Sequence, residues 1–228
     1  MTETTLAGLL ENAEKCLKHF SISNNFVIDF IYNSLCFEND KISIADIKRV
    51  IIDGQITAER MDIIIRNHYA ALIFTMTLVK NDIDLDENKI KDIHELLMQD
   101  LSVGGLYRNV DISIKGSNHT PPSYMKVYDR MKKYINTIRY HHGDVFELAA
   151  YSHLQLAKIH PFLDGNGRCS RLVLFYYFIK NNLNPIIIPY NDKEKYFYLL
   201  EEFKVNKNIN PFIDYLKQLS NISKAAKV

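Results

Sequence analysis

The sequence predicts an all-α fold carrying one small β-hairpin. Apolar residues recur at helical spacing through most of the 228 residues, and the connections between such stretches are short. A single stretch, Val110, Ile112 and Ile114 alternating with Asp111 and Ser113, reads as a strand, with a turn at Lys115 to Asn118 and Pro121-Pro122 closing the element. Hydrophobic residues make up 47% of the chain, enough for one sizeable core or a core with an appendage.

In chain order, helices are expected over 3–20, 24–38, 43–53 and 57–80, then 87–102, 123–141 and 144–159, and finally 167–182, 192–206 and 210–221. Phe26 to Tyr32 supplies the apolar face of the second. Ser43 with Asp46 has the form of a capping box, Thr57 and Ser123 have the form of N-caps, and Gly54 and Gly143 are expected stops. Tyr69 to Val79 is the longest apolar stretch; its eleven residues are too few to span a bilayer. Pro161 disfavours helical geometry at the preceding residue, so a helix should end at His160. The next restarts at Arg168, where Leu172, Phe175, Tyr176 and Ile179 recur. No repeat, low-complexity run or linker marks a two-domain split.

Residues 160 to 171, HPFLDGNGRCSR, concentrate chemistry that a core does not need. The order is helix, glycine loop, helix. Backbone N–H groups at the second helix's start, together with its dipole, make an anion site. Arg168 and Arg171 lie three apart and suit phosphate oxygens. Asp164 can hold Mg2+ where phosphates complete the ligand set. His160, with an ordinary pKa of roughly 6.5, fits a general base. A calcium loop would need Asp or Asn at Arg168, Gly at Cys169 and Glu at Phe175, and no P-loop pattern occurs.

The run matches all nine specified positions of the motif H-P-F-x-[D/E]-G-N-G-R-x-x-R and so resembles the Fic (filamentation induced by cAMP) family over about residues 86–215. The resemblance implies a Fic-type helical bundle with a small β-hairpin flap, and a Mg-dependent nucleotidyltransferase moving AMP from ATP to a protein hydroxyl. It implies His160 as base and Asp164 as the Mg2+ ligand. Gly165, Asn166 and Gly167 would form the anion hole, with Arg168 on the β-phosphate and Arg171 on the γ-phosphate. Phe162 would be an inward anchor. Cys169 and Ser170 read as packing.

Upstream, Ser34-Leu35-Cys36-Phe37-Glu38-Asn39 matches the family's inhibitory pattern [S/T]-x-x-x-E-[G/N]. Ser34 and Glu38 should share one helix face. On the resemblance, Glu38 pairs with Arg171 in the γ-phosphate's place, inside an inhibitory helix at about 24–39 within N-terminal helices 1–85. An exposed helix-end glutamate is the competing reading. Residues 216–228 are expected as a C-terminal tail.

The 104–122 hairpin resembles the family's flap, which clamps the target segment by strand addition and places Gly116, Ser117, Asn118 and His119 near the nucleotide. A surface hairpin with no ligand contact is the alternative. Arg108 is expected to fix this loop. Tyr196 and Phe197 stand where the family lines the adenine pocket, although Tyr196, Leu199, Leu200 and Phe203 also read as ordinary core.

The formal charge of +1 argues against a dedicated nucleic-acid binder. Three cysteines, Cys16, Cys36 and Cys169, form neither a zinc spacing nor a disulfide framework. Without a signal sequence or membrane span, a cytoplasmic place is expected. The expected partners are a protein substrate at the flap and, through auto-modification or self-association, the chain itself. De-AMPylation with Glu38 positioning a water, transfer of another nucleotide, and a regulatory module of vestigial activity are the other functions the residues leave open.

Overall fold

The computed structural model describes residues 6–225, with side chains over 7–221. The expected helix start at residue 3 and the last three residues of the tail lie outside the described residues. Helix accounts for 66% of the chain, and among the described residues there is no β-strand. The chain forms two compact units: one runs to Gly105 and includes Ile187–Tyr190, the other comprises Leu106–Ile186 and the residues from Asn191 onward.

The first unit holds α1 (Leu6–Glu11), α2 (Ala13–His19), α3 (Asn24–Cys36), α4 (Ile44–Ile51), α5 (Arg60–Lys80) and α6 (Glu87–Met98). Helix α5 is its axis, packed on by all five others. Its run Ala70, Ala71, Leu72, Ile73 and Phe74 is buried, as a centrally placed helix requires. Among the described residues no helix is long and apolar enough to cross a membrane. Local sequence sets the boundaries. Ser43 and Asp46 form the expected capping box, and Ser23 accepts from Phe26 N at α3. Asp86 does the same for Lys89 N at α6. Thr57, however, does not cap α5. Its N–H and hydroxyl both go to the buried Asp62 carboxylate, which also takes two bonds from Arg49, so the helix starts three residues later than expected. Those bonds hold the Asp62 carboxyl well below the usual range, the Arg49 guanidinium first among them.

The second unit holds α7 (Val127–Arg139), α8 (Val145–Ile159), α9 (Asn166–Lys180), α10 (Lys193–Asn206) and α11 (Asn210–Ala225). Helix α8 packs on all four others, most extensively on α9. Ser123 is no N-cap of α7: a 3-10 turn, Tyr124–Lys126, precedes that helix, and the expected 123–141 shortens to 127–139. Asp144 caps α8 through Phe146 N and Glu147 N.

The expected hairpin is absent. Residues 110–114 run without a ladder partner and close on a turn, Ser117 N donating to Ile114 O at 3.1 Å with Gly116 at φ 78°. The alternation survives as exposure, with Ile112 and Ile114 half-buried between exposed neighbours. A lone two-stranded hairpin is marginal in water, and here side chains satisfy the main chain instead. Arg108, only 3% exposed, donates to the carbonyls of Val110 and Pro122, while Asp111 accepts from Tyr124 N. Arg108 Nε also reaches the His160 carbonyl at 2.9 Å, and its backbone N–H reaches Pro161 O at 2.9 Å. Arg108→Ala should therefore lower unfolding stability by about 3 kcal/mol, since three part-buried carbonyls lose a charged donor. Denaturant melts check this; a loss under 1 kcal/mol, the cost of roughly one neutral hydrogen bond, would contradict it.

Candidate active site

Helix α8 ends at Ile159, and His160 closes it in the left-handed region at φ 51°, ψ 61°. That geometry costs a non-glycine residue about 1 kcal/mol or more. Pro161 bars the helical alternative, His160 N still bonds Leu156 O, and Arg108 holds the His160 carbonyl. Nδ1 faces the Ala157 carbonyl at 3.3 Å. A carbonyl only accepts, so the ring proton sits on Nδ1 and the Nε2 lone pair is left for chemistry. Burial pushes the imidazole down to about 4 against the opposing Ala157 bond, with smaller lowering by the cations Lys204 and Arg108 and a smaller raising by Asp164. The ring is neutral at physiological pH.

The loop after it is closed by an amide. Asn166 accepts from Phe162 N at 2.9 Å and donates to Phe162 O at 2.8 Å, so both ends of its amide shape the loop. Phe162 is wholly buried, its ring 5.6 Å from Tyr107. Gly165 takes φ 70° as the N-cap of α9, a conformation glycine adopts without penalty. Following it, the first-turn amides of α9 have no acceptor within the helix, and the dipole's positive end points into the loop.

Arg168 and Arg171 are 2% and 5% exposed, so both guanidiniums sit inside the protein rather than in solvent. Arg171 folds back along its own helix: a Cβ on Gly167 would stand 3.2 Å from its Nη1. A side chain at Gly167 would press on that guanidinium. Cys169 is buried and its thiol pushed up to about 12 by burial, so it is inert packing. Asp164 has a 60% exposed side chain, accepting from Gly165 N at 2.7 Å and lying 3.7 Å from Arg168 Nη2. No cluster of three or more His, Cys, Asp or Glu able to hold a metal occurs among the described residues. One open carboxylate beside an anion site fits Mg2+, which takes one or two carboxylates and draws its other ligands from phosphate and water.

The turn expected beside the nucleotide is knitted to this unit's helices. Ser117 Oγ donates to Glu201, whose other oxygen accepts from Asn118 N at 2.9 Å. His119 Nε2 bonds the Lys158 carbonyl at 3.0 Å, two residues before His160, and burial keeps that ring neutral. Lys204, 8% exposed, lies 3.6 Å from Glu201. Sequence reading missed Glu201 and Lys204; their i,i+3 spacing was the only available sign. Tyr196 and Phe197 do not form one wall. Tyr196 is 2% exposed inside the unit, while Phe197 is 42% exposed on its surface.

Residues 84–178 match the model of the Fic/DOC family. Over 199 residues the chain is 28% identical to the protein adenylyltransferase Fic of Drosophila persimilis, covering 82% of this chain and 38% of that protein. The protein of the same name in Drosophila melanogaster is 26% identical over 196 residues, with 82% and 39% covered. The chain thus spans about two fifths of the length of these curated relatives. In fold it is similar to a Fic domain containing signaling protein from Bacteroides thetaiotaomicron, at TM-score 0.78 and 20% identity, covering 94% of this chain and 91% of that one. It is similar also to Fic-1 (residues 134–508) from C. elegans, at TM-score 0.73 and 18% identity, with 96% and 70% covered.

Ser34 and Glu38 belong to the first unit. Ser34 is buried in α3, but the helix stops at Cys36, and Glu38 lies exposed on the closing turn, its N–H on Leu35 O at 2.9 Å. A carboxylate there opposes the helix dipole, so α3 itself gains nothing from it. The helix end is anchored by Asn33, which accepts from Tyr190 N at 2.8 Å, and by Phe37 edge-on to Tyr190. In the second unit, Glu201→Ala should free the 115–119 turn. Hydrogen exchange at Asn118 is expected to speed up at least about tenfold, the equivalent of roughly one hydrogen bond to a charged group, with α9 unchanged. Equal exchange in both proteins would remove Glu201 as the anchor.

Proposed function

We propose that this chain is a protein adenylyltransferase that moves AMP from ATP onto a Ser, Thr or Tyr hydroxyl of a target protein. The observation that carries the reading is His160: an imidazole held neutral, with its Nδ1 proton bound to Ala157 O, at the edge of a helix N-terminal loop flanked by Arg168 and Arg171. The names and partial coverage of the Drosophila relatives support the same chemistry.

In this reading the target hydroxyl gives its proton to His160 Nε2 as its oxygen bonds the α-phosphorus, and the bond from that phosphorus to the bridging oxygen breaks, releasing pyrophosphate. The first-turn amides of α9 and Arg168 take the negative charge, with Arg171 on the terminal phosphate. Mg2+, held by Asp164 and phosphate oxygens, would supply further charge neutralisation. The 110–119 segment, whose backbone enters no ladder, is the surface offered to an extended target segment. Functionally, the Fic core is assigned to 86–215, with 1–85 supplying the inhibitory segment and 216–228 a tail.

Glu38 is assigned the inhibitory role in the γ-phosphate's place. The supporting features are its motif and its position at a helix end where a carboxylate has no local benefit. Because Glu38 is exposed, an ion pair made by it is worth about 1 kcal/mol or less, so inhibition would be easily relieved rather than firmly held.

Incubation with labelled ATP, Mg2+ and cell lysate tests the assignments. Glu38→Gly is expected to raise labelling and His160→Ala to abolish it; equal labelling with His160→Ala would defeat the base. The same mixture with labelled UTP, GTP and CTP tests the donor. The pH dependence is equally specific. His160 works unprotonated, so kcat/KM should hold as pH falls and be lost only near pH 4. An acid limb at the ordinary histidine value of roughly 6.5 would show that burial does not tune this base.

A further inference from the structure

Behind the phosphate loop, the second unit contains a hydrogen-bond chain that the reaction itself does not use. His153, wholly buried on α8, lies two helical turns before His160. Its Nδ1 faces the Ser170 carbonyl at 2.9 Å, and its Nε2 faces the Tyr196 hydroxyl at 2.9 Å. The polarity is determined throughout. A carbonyl only accepts, so Nδ1 carries the proton and Nε2 accepts. Tyr196 must then donate its single proton to His153, which turns its oxygen lone pairs outward. Those lone pairs receive the Arg171 guanidinium, a group that only donates. The His153 ring is stacked on Phe212, 5.3 Å centroid to centroid and 2° from parallel, so it cannot swing away. Burial holds it neutral, at about 3, so the order of donors survives at any physiological pH. The chain begins at residue 170 and returns to residue 171 of the same helix by way of α8 and α10.

We infer that His153 and Tyr196 are positioning residues that fix the Arg171 guanidinium over Gly167 and thereby set the preference for a nucleoside triphosphate over a diphosphate. The inference rests on the reading of Arg171 as the terminal-phosphate ligand. Arg168, on the same helix but outside this chain of bonds, would be left in place, so contacts to the remaining phosphates are unaffected.

The test uses the full chain with Mg2+, in a Glu38→Gly background so that access to Arg171 is constant. ATP and ADP affinities are measured by calorimetry for the parent, Tyr196→Phe, His153→Asn and Arg171→Ala. Tyr196→Phe deletes one oxygen. His153→Asn keeps a donor for Ser170 but removes the acceptor for Tyr196. Each is expected to weaken ATP about tenfold, the effect of one lost hydrogen bond to a charged group, and ADP less than about twofold, within ordinary surface-level effects. Equal loss for both nucleotides, or no loss for either, overturns the inference while Arg171→Ala still erases the ATP preference. If Arg171→Ala keeps that preference, the reading of Arg171 fails and the inference with it. Should one variant not fold, as judged by its circular dichroism, the other decides.

Discussion

The geometry of the site depends on a conflict at one peptide. Pro161 denies His160 the helical region, and α8 is too well packed on α9 for its last turn to unwind. The chain resolves this with a left-handed residue, and three bonds hold it there: His160 N on Leu156, Arg108 Nε on the His160 carbonyl, and Arg108 N on Pro161. The loop then turns back sharply enough for Asn166 to grip both backbone groups of Phe162. Only with that turn closed do the start of α9 and the imidazole face a common space. The strain is local, but the whole arrangement inherits its direction.

Several cations are buried around this turn, with Glu201 beside Lys204 and Asp164 near Arg168. Arg108, Arg168, Arg171 and Lys204 are all under a tenth exposed, and Asp164, the carboxylate within the loop, points to solvent. Burying cations is costly, and most proteins neutralise them. His160 loses affinity for its own proton, through burial first and then through Lys204 and Arg108. A base weakened in this way suits a site that receives a polyanion.

How far the sequence reveals this varies by element and has physical causes. The helices are legible because their apolar period is long and repeated, and the capping box at Ser43 because it needs only residues three apart. The 160–171 loop is legible because its proline, glycines and charges act on their own backbone. Thr57 looked like a cap and is not, since a carboxylate five residues on competes for the same hydroxyl. The strand at 110–114 has the right alternation but no partner, and pairing is a non-local property. Tyr196 and Phe197 are adjacent on a helix, about 100° apart, so one turned inward and the other out. Arg108 is legible as the fastener of its own loop but not as a donor to His160 52 residues away, and Glu201 reaches Ser117 across 84 residues, where only its i,i+3 spacing from Lys204 is local.

Two histidines on one helix show why residue type alone does not assign a role. His153 and His160 share the Nδ1–H tautomer, each directing it at a carbonyl, and both are neutralised by burial. They differ at Nε2. That nitrogen of His153 is committed to Tyr196 and serves architecture. His160 lies past the end of the helix on a left-handed turn, and among the described residues no hydrogen bond is assigned there to its Nε2. Two turns along one helix therefore separate a ring that fixes a cation from a ring that can receive a proton. The backbone angle forced by Pro161 is what divides them.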